Sequence, residues 1–379
     1  MDSMIRNVQE RMGTHPNNEA LAVKTQRTSE KTKKVDAELE NLLKTRQAAI
    51  KVIGVGGGGN NSLTRMAEVG IKGAELVAVN TDAADLLCAQ SDIKVLIGRE
   101  ISQGLGAGAD PKVGKEAAKE QEHEIKESLK GSDLVFITAC LGGGTGSGAA
   151  PVIAELTKKQ GMLTVAIVTL PFSIEGKVRM ENAMEALERL EAVTDTIIVI
   201  PNDKLLELAP DLPLHVSFKV ADEILTNAVK GITELITKSG LINLDFADIK
   251  AVMREGGVAM IGVGEDDSEN RAQMAVEKAI NNPLLDVDIA GASGALVNVS
   301  GGSNMSLDEA KRVVETVSKM LSEDAKIIWG AHIEPDMQSS MRVMLVVTGV
   351  TSPQIYGKDK LLIEKRHEQY GDELGIEYL

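Results

Sequence analysis

The stretch LGGGTGSGAAP, residues 141–151, lies between the apolar run SDLVFITAC and the helical pattern VIAELTKK. Five glycines and two hydroxyls therefore stand where a buried strand hands over to a helix. Backbone this bare of side chains can wrap its N–H groups around an anion, and a helix starting just beyond adds the positive end of its dipole. The form is that of a phosphate site. It is not a Walker-type loop, which needs Lys and then Ser or Thr after the glycines: here Gly148 is followed by Ala149, Ala150 and Pro151, while Thr145 and Ser147 lie inside the loop. Taken alone, the junction is equally compatible with a tight turn that binds nothing, so its surroundings decide.

On either side, near-continuous apolar runs alternate with helical segments: IKVIGVG, ELVAVNT, IKVLIG, DLVFITAC, LTVAIVTL and TIIVIP. Such runs predict a parallel sheet covered on both faces. From Phe218 to Ser239 the pattern changes. Phe218, Ala221, Leu225, Ala228, Ile232 and Leu235 follow helical spacing, with Ile224, Val229 and Ile236 as a second stripe. A helix this broadly apolar is buried between two bodies. After LINLDFADIK, read as a loop, VAMIGVGE, GALVNVSGG, AKIIWGAHIE and MRVMLVVTGV predict a second, smaller α/β unit with four strands and two helices. The expected organisation is a polar, disordered arm at 1–34, a nucleotide domain with a lead-in helix at 35–217, a central helix at 218–240, a second domain at 241–350 and a polar tail at 351–379.

Composition narrows the function. The 379 residues are long enough for two domains, and no apolar stretch approaches the length of a membrane span or a secretory signal. Forty-one basic residues against 56 acidic give a net charge of −15, and aromatics are only 2%. That removes the electrostatic and stacking ingredients of nucleic-acid binding. Cys88 and Cys140 show neither pairing nor metal-type spacing, which fits a reducing cytoplasm. The histidines are scattered without a metal-ligand pattern.

A second glycine cluster, GVGGGGNNSLTRM at 54–66, follows the first strand. A dinucleotide site is the obvious rival, but two strand–glycine–helix junctions exceed what that fold uses and suit a chain of phosphates. Joined in order to NTDA, GLGAGADPKVG, GGGTGSG, PFSIEGKVR, PNDKL, FKVADEIL and NLDFADIK, the cluster strongly resembles the FtsZ family, prokaryotic homologues of tubulin, from about residue 48 to about residue 350. The resemblance implies a Rossmann-like, parallel-sheet GTP-binding domain joined by a long central helix to a smaller α/β domain. It implies a GTPase that uses GTP and Mg2+. Gly56, Gly57, Gly58 and Asn60 look like the first phosphate loop, and Thr81, Asp82 and Ala83 its neighbour. Gly106, Ala107 and Gly108 resemble the loop near the γ-phosphate. Gly142, Gly143, Gly144, Thr145, Gly146, Ser147 and Gly148 match the loop over the β- and γ-phosphates. Glu175 and Arg179 resemble ribose and base-edge contacts; Asn202, Phe218 and Asp222 resemble guanine contacts. The chemistry is sound by itself, since a carboxylate can accept from both guanine N1–H and its exocyclic amine. Within the first loop, NNSLTRM departs from the commoner pattern.

About eighteen helical residues separate Asp222 from the NLDFAD segment, roughly 27 Å at 1.5 Å per residue. One nucleotide cannot touch both. By themselves Asp245 and Asp248 read as caps of the next helix; under the resemblance Asn243, Asp245 and Asp248 are the loop that completes the GTPase site of an adjoining copy. Head-to-tail stacking does not close and builds a filament. The implied roles are a cytoplasmic, cell-division polymer beneath the membrane, whose partners are its own copies and a membrane-tethering protein that takes the C-terminal tail; the alternative is a polymerising GTP-binding protein with little hydrolysis.

Overall fold

The computed structural model describes residues 48–204, 214–237, 245–281, 289 and 291–350. The expectations for the arm, the lead-in helix, the tail and Asn243 fall outside these residues, as does the side chain of Phe218.

All six apolar runs of the first half become strands: β1 (Ile50–Val55), β2 (Ala74–Asn80), β3 (Ile93–Leu96), β4 (Leu134–Cys140), β5 (Leu163–Leu170) and β6 (Thr196–Pro201). They pair in parallel in the order β3-β2-β1-β4-β5-β6. Every residue of β5 is buried, as expected of a strand covered on both faces. Successive strands are added in one direction from β1 to β3 and in the other from β4 to β6, so the winding switches between β1 and β4, and a crevice opens there beyond the carboxyl ends of the strands.

Both glycine clusters, read as loops, run into helices: Gly56 to Gly59 form the first turn of one helix, and of the second cluster only Gly142 and Gly143 stay outside the other. Helix α1 spans Gly56–Val69, and α5 spans Gly144–Lys159. Glycine disfavours helix by about 1 kcal/mol relative to alanine, but a side chain would be excluded at several of these sites. At Gly148 a Cβ would fall 2.0 Å from the Pro111 carbonyl oxygen. The intervening helices are α2 (Ala83–Cys88), α3 (Pro111–Glu120) and α4 (Glu122–Leu129), followed after α5 by α6 (Lys177–Val193).

The central helix α7 runs Leu214–Thr237, beginning one turn before Phe218. Leu225, Ala228, Val229, Ile232 and Leu235 are buried in the same core as Ile198 of β6 and Met344 and Val346 of the second half. At Gly231 a Cβ would lie 2.0 Å from the Met344 sulfur, so the helix is pressed directly onto the sheet. The LINLDFADIK stretch is not wholly a loop: α8 occupies Phe246–Met253, started by Asp245, whose side chain accepts from the Asp248 N–H.

The second half contributes β7 (Gly257–Asp266), α9 (Arg271–Ile280), β8 (Gly294–Gly301), α10 (Leu307–Ser318), β9 (Lys326–Ile333) and β10 (Met341–Thr348). These strands follow the order β7-β10-β8-β9 and continue the first sheet, because β6 pairs with β7 through Thr196, Ile197 and Ile198 opposite Gly257, Val258 and Ala259. The result is a ten-stranded sheet. One face carries a core with residues of α1, α2, α7 and α8, the other a core with residues of α3, α4, α5, α6, α9 and α10.

Candidate functional site

Helices α1 and α5 both begin at the crevice between β1 and β4. Neither has a side-chain N-cap bond, and neither carries an acidic residue in its first turn. The orphan N–H groups of two helix ends, with the positive ends of their dipoles, are thus left for a ligand. The two turns touch: a Cβ at Gly56, whose φ is +73°, would approach the Gly146 nitrogen to 2.9 Å. Their hydroxyl neighbours are joined as well, with Thr81 Oγ1 2.6 Å from Thr145 Oγ1.

A cleft of about 470 Å³ opens on these turns, a size suited to a small-molecule ligand. Among the sequence-predicted residues its walls bring together Gly56, Gly57, Gly58, Gly143, Gly144, Thr145, Gly146, Glu175, Arg179, Asn202 and Asp222. Gly57 and Gly143 are informative. A Cβ at Gly143 would meet nothing within 4 Å, and one at Gly57 would make only ordinary contact with Asp85. The protein does not require bare backbone at either point; the cleft does, which fits a close-lying phosphate chain.

Other predicted residues frame the cleft without lining it. The N–H of Gly142 donates to Ser147 Oγ at 2.8 Å, bracing the turn from within. Gly148 is packed under α3. Asp82 caps α2, accepting from the N–H groups of Ala84 and Asp85 at 2.9 and 3.0 Å. The Ala83 N–H donates to Gly104 O and the Gly106 N–H to Thr81 O, fastening the 104–108 segment beside α2. Ala107 is buried against Gly144, while Gly108 has open space around its Cα. Asn60 does not line the cleft. It is 1% exposed and turns its amide toward Asp85, whereas the next residue, Asn61, faces the cleft.

At the far wall, Asp222 accepts a hydrogen bond from Ser62 Oγ at 2.6 Å. Burial pushes its carboxyl above the usual range, opposed by that bond and by the charge of Arg65. Asn202 is 5% exposed, and its Oδ1 meets no partner among the described residues; an unpartnered buried amide at a cleft wall is available to a ligand. Glu175 accepts from the Phe172 N–H at 2.9 Å and pairs with Arg179.

Cys140, Thr169 and Pro171 also line the cleft and were not foreseen. Their signal was positional: each sits at or just past the carboxyl end of β4 or β5. Burial pushes the Cys140 thiol up to about 11, so it serves as a neutral wall and not a nucleophile.

Asp245 and Asp248 lie elsewhere. The Met253 carbonyl at the end of α8 accepts from Thr196 Oγ1 at the start of β6, while Asn202, just past the end of the same strand, lines the cleft. Six strand residues are roughly 20 Å. The carboxyl end of α8 is therefore anchored at the opposite end of β6 from the cleft, and neither acid is among the residues that line it.

Two family models match: the GTPase domain of the tubulin/FtsZ family over residues 49–210, and the C-terminal domain of the FtsZ family over residues 257–351. The chain is 54% identical over 373 residues to cell division protein FtsZ 1 of Thermococcus kodakarensis, covering 98% of this chain and 97% of that one. Cell division protein FtsZ 1 of Methanocaldococcus jannaschii is 59% identical over 317 residues, covering 84% and 87%. An empty FtsZ dimer from M. jannaschii superposes with a TM-score of 0.79 at 58% identity, covering 85% of this chain and 93% of that chain.

Proposed function

The chain belongs to the FtsZ family of tubulin-like GTPases, and from that premise we propose that it polymerises head to tail and hydrolyses GTP only where one copy meets the next. What supports the reading is that the helix turns read as phosphate-binding line the cleft at the carboxyl ends of the strands, whereas Asp245 and Asp248 do not line it and α8 ends against the start of β6. In this reading the first turns of α1 and α5 hold the phosphates, Asn202 and Asp222 with Phe218 meet the guanine, and Glu175 and Arg179 meet the ribose and base edge. Asn243, Asp245 and Asp248 of the adjoining copy orient the attacking water in line with the γ-phosphate.

The described residues bring no group of three or more His, Cys, Asp or Glu side chains together. A Mg2+ ion would sit on the phosphates held by the first turns of α1 and α5, where it would supply positive charge to offset that of the phosphate oxygens. Loss of the γ-phosphate would loosen the same interface that assembled the site. The relatives named above are cell division proteins, and the corresponding role here is a cytoplasmic filament at the division plane. No helix among the described residues is long and apolar enough to cross a membrane, so the reading includes a tethering protein that grips the C-terminal tail.

Asp245→Asn tests the shared site, because asparagine keeps the cap of α8 while removing the charge. Monomers should bind GTP as wild type does, sediment with GTP and not with GDP, and release phosphate at least about a hundredfold more slowly, a barrier increase of about 2.7 kcal/mol. Added to wild type, the variant should depress turnover per filament. Weakened GTP binding by the monomer, with normal hydrolysis of what is bound, would overturn the assignment.

A further inference from the structure

Helix α1 serves the cleft twice. Its first turn lines the phosphate end, and one to two turns later Ser62 and Arg65 grip successive residues of α7. Ser62 Oγ is 2.6 Å from Asp222 Oδ1, and Arg65 Nε is 2.9 Å from Glu223 Oε2. The Gly58 carbonyl lies 3.2 Å from the same serine oxygen. A hydroxyl has one proton, and an ionised carboxylate can only accept, so the shorter contact fixes Ser62 as donor to Asp222.

Ser62 is 0% exposed and does not line the cleft. Whatever it contributes to binding passes through Asp222. The carboxylate torsion of aspartate is broad and weakly determined by its own rotamer, so a half-buried aspartate left alone presents a range of planes. The bond to Ser62 occupies one lone pair of Oδ1. It leaves the remaining lone pair of Oδ1 and both of Oδ2 for donors arriving from the cleft.

We propose that Ser62 is the positioning residue for base selection, holding the Asp222 carboxylate in the plane that meets the paired N1–H and exocyclic amine of guanine. This rests on the reading of Asp222 as the base-contacting group. It assigns a function to the NNSLTRM departure in α1: the hydroxyl at 62 couples the helix that cradles the phosphates to the group that reads the base, so binding at one end of the nucleotide orders the other.

The experiment compares GDP with IDP, which lacks the exocyclic amine, by calorimetric titration of the full chain. GDP keeps the protein from assembling in the proposed manner, so the readout is monomer affinity. Ser62→Ala should lower the GDP-over-IDP affinity ratio about tenfold, the value of roughly one hydrogen bond to a charged group, while IDP affinity changes by less than about threefold. Ser62→Thr, which retains the hydroxyl, should restore the ratio. Equal weakening of GDP and IDP in Ser62→Ala would mean that the serine only supports the helix, and the proposal would fail. Asp222→Asn separates the two levels. If it collapses the ratio while Ser62→Ala leaves it intact, the positioning role is wrong and base reading stands; if Asp222→Asn leaves the ratio intact, base reading by Asp222 is itself wrong.

Discussion

Gly143 and Gly148 stand five residues apart at the start of α5 and lack side chains for different reasons. Gly143 has a φ of −88° and no atom within 4 Å of where a Cβ would sit, so alanine fits the protein and intrudes only on the cleft. Gly148 has the Pro111 carbonyl 2.0 Å from that point, and alanine there must displace backbone. Gly143→Ala should change stability by less than about 0.5 kcal/mol and weaken GDP binding at least about tenfold. Gly148→Ala should destabilise by about 2–3 kcal/mol, the range for overpacking a tight site. Nucleotide-free thermal unfolding beside GDP titration checks both, and a parallel loss of stability and binding at Gly143 would contradict the distinction. The glycines were legible in the sequence as backbone left bare, but their helical phase was not. Glycine carries no apolar stripe, so nothing in GVGGGGNNSL marks where the helix begins; once α1 starts at Gly56, Asn60 turns inward and Asn61 outward.

Among the elements, α9 and α10 share a core and are tied at their amino ends by one side chain. Arg271, with its side chain 8% exposed, donates Nε to Glu309 Oε1 at 2.8 Å and NH2 to Glu309 Oε2 at 3.1 Å, and its NH1 reaches Asn304 Oδ1 and the Ser339 carbonyl. Glu309 is also the third residue of the capping box that opens α10 with Ser306. The guanidinium, with the Ser306 donors, holds the Glu309 carboxyl down at about 2, well below the usual glutamate range. A carboxyl lowered on folding contributes stability that is complete above the unfolded value and is lost as pH falls toward the folded one. Arg271→Met should therefore cost about 2–3 kcal/mol at neutral pH, and the gap in thermal midpoint between variant and wild type should narrow from pH 4.5 toward pH 2. A gap independent of pH over that window would show that the pair is not what the substitution removes. Helix α8 shows what pattern reading misses at this scale. Its start rests on a single side-chain cap at Asp245, and eight residues are too few to declare a period against a preceding loop.

Over the whole molecule, every apolar run read as a strand is one, yet the order of the second half could not be read. A fully buried strand has no polar face to mark its neighbours, and nothing in MRVMLVVTGV says that β10 inserts between β7 and β8 or that β6 and β7 are joined across three residue pairs. Charge, by contrast, is legible from composition. Copies carrying −15 repel as they stack in the proposed filament, and the screening length falls from roughly 20 Å near 0.02 M salt to about 8 Å at 0.15 M. Raising ionic strength over that range at fixed Mg2+ should lower the concentration needed for GTP-dependent light scattering; a rise would mean that attractive pairs across the contact outweigh the net repulsion. The position of β10 also sets an order of events during synthesis. The six strands of the GTPase half all emerge from the ribosome before any strand of the second half and can close around their cleft early. The second half waits for residues 341–348, because its middle strand is translated last. A message broken before that point would yield chains able to capture nucleotide but exposing the bare flanks of β7 and β8, sticky material that a cell must degrade before it meets finished subunits.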